Sequence, residues 1–383
     1  MYPYLGTRDR SRSAQGSWEH VVTIGLDARI ASYNNSGISR YFRGLLSGLA
    51  TAESPFTFEV YLSSRRPFTG SIPARFRVHR LRTPPHNRFE EVLLPLELRR
   101  GKCRLLHAMD FFTPVGSAIP QILSVYDLYF LREPQSLDRS SYRHYSKLVR
   151  YAQSAAHIIC SSEATKKDLL DLAGVPGSKA SVVYPGPSLE LHRIDMSETG
   201  SGSEPFILCV GTIEPRKNLA RLFQAYALAS ERSTAPLPTL LLAGRCGYRA
   251  QEILDSLSSL GLDSRVRYLG EIPDNELAKL YREALFLVYP SLYEGFGFPL
   301  VEAMAYGVPV LTSDISSIPE VVGDAAYLVN PEDIESIAGG LRALSGDPEL
   351  RARLSALGRL RCERFSWART ASETLDVYRN VLA

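Results

Sequence analysis

The sequence predicts an α/β protein built from two doubly wound domains in tandem, facing each other across a central cleft. Three observations carry this prediction. Short apolar runs alternate with segments of helical apolar spacing, as a parallel sheet covered by helices on both faces requires. The alternation stops at a polar, Ser- and Gly-rich stretch, "HRIDMSETGSGSEP" (192–205), and then restarts. The 383 residues, 45% hydrophobic and 22% charged, are enough for two cores of ordinary size.

The elements follow in order. The opening "MYPYLGTRDRSRSAQGSWEH" is polar and lacks the apolar segment of a secretory signal. Residues 1–20 are therefore read as a flexible extension. The first domain, 21–191, begins with the strand "VVTIGLDARI" and a helix over 38–50 with apolar residues on one face. "FTFEVYLSS", "RFRVHRL", "RLLHAM", "QILSVYDL" and "AHIICSS" read as further strands, with helices over about 88–99, 139–156 and 162–173. A linker occupies 192–204. The second domain, 205–366, runs "FILCVGT" (strand), "NLARLFQAYALA" (helix), "PTLLLAG" and "RVRYLGE" (strands), "DNELAKLYREA" (helix), then "LFLVYPS" and "PVLTSD" (strands). In such sheets ligands bind at the carboxyl ends of the strands, and two facing domains make a cleft.

Composition excludes some functions. No apolar run reaches the length of a membrane span. The five cysteines are scattered, without a CxxC or a Cys/His cluster, which speaks against zinc and for a reducing cytosol. The net charge is only +3, but residues 1–190 hold 25 Lys and Arg against 16 Asp and Glu. The excess lies above all between Arg65 and Arg104, including Arg75, Arg77, Arg80, Arg82, Arg99, Arg100, Lys102 and Arg104. This run contains "FEEVLLPLELRR", a short amphipathic helix candidate. A basic face suits anionic membrane surfaces or phosphorylated substrates; a solvated face is the plain alternative. No nucleic-acid motif is present.

Three stretches can carry chemistry. In "SLYEGFGFPLVEAMAYGVPV" (291–310) a strand ends near Ser291 and Pro299 suits the first turn of a helix. Gly295 and Gly297 lie between, where glycine permits close ligand approach. Free N–H groups and the helix dipole favour an anion there. Glu294 and Glu302 border the same pocket and can accept hydrogen bonds from hydroxyls. Hydroxyl acceptors beside an anion site describe a sugar nucleotide. In "CVGTIEPRKNL" (209–219) a strand ends at Gly211, a turn carries Arg216 and Lys217, and Asn218 suits the cap of the next helix. Two cations at a strand's carboxyl end neutralise a pyrophosphate leaving group. In "ASYNNSGISRYF" (31–42) a strand–loop–helix unit has one glycine, Gly37, and is not the dinucleotide fingerprint.

These motifs resemble glycosyltransferase family 4, retaining enzymes of the GT-B fold with two Rossmann-like domains. The E-x7-E pair is Glu294 and Glu302 in "EGFGFPLVE"; "GTIEPRKN", "RYLGEIPDNELAKLY" and "AMAYGVPVLTSDISSIPEVVGDAA" also resemble the family, and "DARIASYNNSGISRYFRGLL" fits members with a Gly-Ile-x-Arg-Tyr helix. The resemblance covers about 21–383. It implies that the first domain binds the acceptor and the second the nucleotide-sugar donor. It implies that Arg216 and Lys217 bind the donor pyrophosphate and that Gly211 and Thr212, at the strand end before them, belong to the donor site. Glu294 would hold sugar hydroxyls, helped by N–H groups at Gly295, Phe296 and Gly297. Glu302 would accept from the ribose, Leu300 and Val301 would offer N–H groups to phosphate, and Gly270, Glu271 and Ile272 would flank the base. Gly37 would let the first loop approach the donor phosphate. The helix 367–383 would return to the first domain.

One departure stands out. Where the family often has His-Asp, this chain has Tyr126 before Asp127 in "SVYDLYF". Tyrosine can donate to a sugar hydroxyl but is a poor base near neutral pH. His107 is a second cleft candidate. The resemblance implies retention, with front-face departure preferred because no carboxylate nucleophile is evident. It implies no metal and no cofactor, since fixed cations face the phosphates. Mannosyltransferase likeness names GDP-mannose as donor and a saccharide or lipid-linked saccharide as acceptor, in the cytoplasm or at the inner face of the membrane. A UDP-sugar-dependent glucosyl- or rhamnosyltransferase, or a non-catalytic sugar-nucleotide-binding protein, are the alternatives.

Overall fold

The structure is a computed structural model that describes residues 22–33, 37–87, 89–99, 101–115, 117–136, 139–187 and 204–383. The extension expected over 1–20, nearly all of the expected linker, and Arg100 lie outside the described residues.

Among the described residues the chain forms two parallel sheets. The first contains β1 (Thr23–Asp27), β2 (Thr57–Ser63), β3 (Phe76–Leu81), β4 (Leu105–Ala108), β5 (Gln121–Val125), β6 (His157–Cys160) and β7 (Ala180–Val182), in the order β3-β2-β1-β4-β5-β6-β7. The second contains β8 (Phe206–Val210), β9 (Thr239–Ala243), β10 (Val266–Gly270), β11 (Phe286–Tyr289), β12 (Val310–Ser313) and β13 (Ala326–Val329), in the order β10-β9-β8-β11-β12-β13. The central strands are buried along their whole length, "QILSV" in β5 and "FILCV" in β8. Only strands covered on both faces read as unbroken apolar runs. The edge strand β3 is instead buried only at its two ends, Phe76 and Leu81, with exposed Arg77 and Arg80 that blunt the edge. Each sheet has a core on both faces. In the second, Leu222, Phe223 and Tyr226 of helix Leu219–Arg232 fill one side, and Leu300, Val301 and Met304 of helix Phe298–Ala305 the other.

Helix Trp367–Leu382 follows the second sheet in sequence but packs on helix Gly37–Thr51 beside the first. Gly44 and Gly48 make room for it. A methyl on Gly44 would stand 2.0 Å from the Trp367 ring, and one on Gly48 2.1 Å from the Trp367 carbonyl oxygen. Thr370 donates to the Tyr184 carbonyl at 2.7 Å, fixing the return.

Three expectations need correction. The single helix over 139–156 is two, Arg139–Tyr145 and Leu148–Ser154. The break falls at Ser146, whose hydroxyl donates to the Arg143 carbonyl, a local bond that competes with helix continuation. The first piece keeps Tyr145 against Phe111 and Phe130, while the second buries Leu148, Tyr151 and Ala152. β7 and β13 were not expected, because three- and four-residue runs carry too little pattern; pairing with β6 and β12 places them. Finally, the Asn218 side chain does not cap its helix. It donates instead to the Pro290 and Pro331 carbonyls at 3.0 and 2.8 Å, tying three loops together.

Candidate active site

In each sheet the order of strand addition reverses once. In the first it does so between β1 and β4 and in the second between β8 and β11. Crevices open at such points beyond the carboxyl ends of the strands. Here both open into one cleft of about 1350 Å³, lined from both domains.

On the second-domain side, the loop after β8 carries Gly211, Thr212 and the turn Pro215–Lys217, and the loop after β11 carries Glu294. Leu292 N–H donates to the Arg216 carbonyl at 2.9 Å, which ties the two loops together. Their side chains meet in one ion cluster. Lys217 Nζ lies 2.5 Å from Glu294 Oε1 and 2.6 Å from the Tyr289 hydroxyl. Arg216 Nη1 donates to Glu294 Oε2 at 3.0 Å and to the Tyr293 carbonyl at 3.1 Å, while Nη2 reaches Glu214 at 2.8 Å. Burial alone would raise the Glu294 carboxyl, but Lys217 and Arg216 outweigh it and hold it at about 2. Burial lowers the Lys217 ammonium despite Glu294. The three residues thus form a cationic site with one carboxylate inside it, at the switch point of the sheet.

Gly297 adopts φ 95°, a left-handed conformation, at the entry to helix Phe298–Ala305. Gly295 has a different constraint. A Cβ there would lie 1.7 Å from the Tyr126 carbonyl oxygen and 2.9 Å from Asp127 Cβ, so the two domains touch at this glycine. The Ser161 hydroxyl, after β6, lies 2.7 Å from the Tyr126 carbonyl and 2.9 Å from that of Gly295. Nearby, the Tyr293 hydroxyl donates to Asp168 at 2.7 Å, and Glu320 accepts the N–H groups of Glu163 and Ala164. None of these cross-domain contacts is adjacent in sequence, and no local pattern signals them.

The structure brings Gly37, Tyr126, Asp127, Gly211, Thr212, Arg216, Lys217, Glu271, Ile272, Glu294, Gly295, Phe296 and Gly297 to the cleft lining. Gly270, Leu300, Val301 and Glu302 are not among the residues lining it. Leu300 and Val301 have fully buried side chains, and Leu300 N–H already donates to the Gly297 carbonyl at 3.0 Å. Glu302 is fully buried, accepting from the Tyr281 hydroxyl at 3.0 Å and from Arg40 at 3.2 Å. Burial raises its carboxyl above the usual range, against the pull of Arg40. Arg40 comes from the first domain and also pairs with Asp274 at 2.9 Å. It sits in the "GISRY" stretch, and sequence reasoning did not single it out.

Two expectations change. The Tyr126 hydroxyl is spent on the Met109 carbonyl at 3.0 Å, and its ring packs edge-on against Tyr41 with centroids 5.0 Å apart. Tyr126 thus lines the cleft with its hydroxyl proton already committed to the protein. His107 is a core histidine, fully buried between the Tyr378 hydroxyl at 2.7 Å and the Ser124 hydroxyl at 2.9 Å. Burial drives its proton affinity down to about 3, so it stays neutral. Among the described residues, the histidine that lines the cleft is His86, which stood in no motif.

Residues 193–361 match the family described as Glycosyl transferases group 1, and residues 35–191 match Glycosyltransferase Family 4. O-antigen chain mannosyltransferase B of Escherichia coli is 30% identical over 296 residues, 74% of this chain and 76% of that protein. The chain spans under a third of the length of some longer curated mannosyltransferases that it also matches. Among solved structures, sucrose-phosphate synthase of Thermosynechococcus elongatus superposes with a TM-score of 0.75 at 20% identity, over 94% of this chain and 99% of that one. Anabaena Alr3699/HepE, solved with UDP and glucose, superposes with a TM-score of 0.72 at 17% identity, over 94% and 100%. A paired-sheet cleft with this ion cluster at its switch point, and relatives matched across both halves, lead to one statement: the chain belongs to the group 1 glycosyltransferases and has their GT-B fold.

Proposed function

We propose that this protein is a retaining hexosyltransferase that moves a sugar from a nucleotide-sugar donor, GDP-mannose in the preferred reading, to a saccharide or lipid-linked saccharide. One observation carries it: the Arg216–Lys217–Glu294 cluster at the switch point of the second sheet, facing Asp127 and Gly37 across the cleft. The diphosphate would sit on Arg216 and Lys217, which stabilise the charge that grows as the glycosyl bond breaks. Glu294, once its cations are shared with phosphate, has lone pairs for sugar hydroxyls. Glu302 would exchange Arg40 for the ribose. In front-face departure the acceptor oxygen bonds the anomeric carbon on the side the phosphate leaves, and the leaving phosphate oxygen takes the acceptor proton. The E. coli relative's name favours mannose, and the HepE complex favours UDP as the base-bearing product. Titration calorimetry with GDP-mannose and UDP-glucose, followed by assay of donor hydrolysis and transfer, separates them. Tight binding of either donor without turnover would defeat the enzyme reading.

The first domain also suits an anionic bilayer surface. No helix among the described residues is long and apolar enough to cross a membrane. Helix Glu90–Leu98 turns its acids inward: Glu90 onto Arg29, Glu91 onto the Tyr151 hydroxyl at 2.8 Å, and Glu97 onto Arg82 N–H at 2.9 Å. Outward stand Phe89, Val92, Leu93 and Leu96, from 43% to 65% exposed. Arg82 and Arg99 beside the helix, and Lys102 and Arg104 after it, are exposed too. An apolar ridge with flanking cations is the pattern of shallow interfacial binding. Co-sedimentation with vesicles should rise with anionic lipid, fall with salt, and drop in a Val92→Ser/Leu96→Ser variant. Equal recovery with neutral and anionic vesicles would point to a soluble acceptor.

A further inference from the structure

We propose that His86, Asp110, Phe111, Phe130 and Tyr145 form the subsite that holds a neutral pyranose ring of the acceptor. The inference rests on the reading of the second domain as the donor side.

These residues come from three separate connections. His86 follows β3, Asp110 and Phe111 follow β4, and Phe130 and Tyr145 lie between β5 and β6. All five line the cleft on the first-domain side. Phe111, Phe130 and Tyr145 pack as one wall, with ring centroids 6.2 Å (Phe111–Phe130), 5.3 Å (Phe130–Tyr145) and 5.7 Å (Phe111–Tyr145) apart. His86 continues the wall, 5.5 Å from Phe111. Such a surface matches the C–H face of a pyranose, which is apolar, while the ring's edge carries hydroxyls.

The polar partners for that edge are in place. Asp110 Oδ1 accepts the Phe111 N–H at 2.7 Å, and Oδ2 lies 2.5 Å from His86 Nε2. Each carboxylate oxygen keeps a further lone pair for a hydroxyl, and the other imidazole nitrogen, Nδ1, takes no part in the bond to Asp110. His86 has φ 59°, a left-handed conformation uncommon outside glycine. Strain of that kind persists only where surrounding structure enforces it, and it clusters at ligand sites. Burial disfavours the imidazolium, but the bond to Asp110 outweighs it and raises the proton affinity of His86. Asp110 and Asp127 both line this side of the cleft, and the His86 imidazole is already engaged by Asp110, so carboxylates rather than a free cation face a sugar bound here. The wall therefore favours a neutral sugar over a phosphorylated one.

The test uses the full chain with GDP or UDP present and saturation-transfer NMR with methyl α-mannopyranoside, methyl α-glucopyranoside, methyl N-acetyl-α-glucosaminide and glucose 6-phosphate. At least one neutral glycoside should receive saturation, and Asp110→Asn, His86→Gln and Tyr145→Ala should each weaken it by about tenfold, the loss expected for a charged hydrogen bond or a stacked face. Nucleotide affinity, read by calorimetry on the same samples, should stay within about twofold. Equal glycoside binding in all three folded variants, no signal from any neutral glycoside, or preference for the phosphate would overturn the subsite. Failure of nucleotide binding in the unaltered protein would instead remove the donor reading on which it rests.

Discussion

Glu294→Gln tests the ion cluster most directly, because it changes charge with little change of shape. In the native protein the carboxylate is held at about 2 rather than the ordinary 4.5, so its ionised form is favoured by roughly 3 kcal/mol. A second route gives a similar figure. Removing one member of a buried ion pair costs about 3–5 kcal/mol, and here Arg216 keeps Glu214, which places the cost at the low end. The variant should therefore lose about 3 kcal/mol in urea unfolding followed by circular dichroism. The sign with pH follows from the lowered carboxyl. Its contribution is present above about 4.5 and is lost as pH falls toward 2, so the variant's stability should decline less steeply than wild type across that window. Nucleotide binding supplies the opposite sign. Without the carboxylate, Lys217 and the Nη1 of Arg216 lose Glu294 as a competitor for a diphosphate. GDP or UDP without a sugar should bind at least as tightly as to wild type, while transfer falls. Loss of nucleotide affinity in the folded variant, or unfolding within roughly 1 kcal/mol of wild type, would refute the reasoning.

Removing Arg216 or Lys217 should lower turnover at least about tenfold, or ~1.4 kcal/mol, since charge grows on the leaving diphosphate; a loss of affinity with turnover intact contradicts that role. Glu302→Ala should weaken free-nucleotide binding by about 1.5–3 kcal/mol in calorimetry, and an unchanged affinity would take Glu302 out of the site. Gly295→Ala places a methyl 1.7 Å from the Tyr126 carbonyl oxygen and must wedge the domains apart. Turnover should fall at least about tenfold, because misplacement by an ångström is costly, and small-angle scattering should report a wider cleft. Wild-type turnover in that variant would show that the contact at Gly295 is dispensable.

Much of the fold was readable from local pattern. Apolar runs such as "FILCV" and "LFLVY" must be covered on both faces, which requires a parallel sheet with helices on either side. The donor-side loops were readable too, because Arg216, Lys217 and Glu294 each sit directly beyond the carboxyl end of a strand that announces itself. Their convergence was not. It depends on β8 and β11 being neighbours although their first residues, Phe206 and Phe286, lie 80 positions apart, Leu285 N–H donating to the Phe206 carbonyl at the strand starts. The first-domain side was harder still. His107 stood in an apolar strand and looked available, but that same strand is central, so its imidazole is sealed in the core. His86 stood in a turn without a motif, and Asp110 reaches it across the two strands, β2 and β1, that separate β3 from β4, because all of these parallel strands end on the same side. Tyr126 occupied a place where a side chain could face either way, and the Met109 carbonyl, brought close by the pairing of β4 with β5, turned it inward. Periodicity reports which residues must be buried along one segment. Which segments become neighbours, and which polar atoms then satisfy one another, is decided by the closed hydrogen-bond accounting of the folded chain.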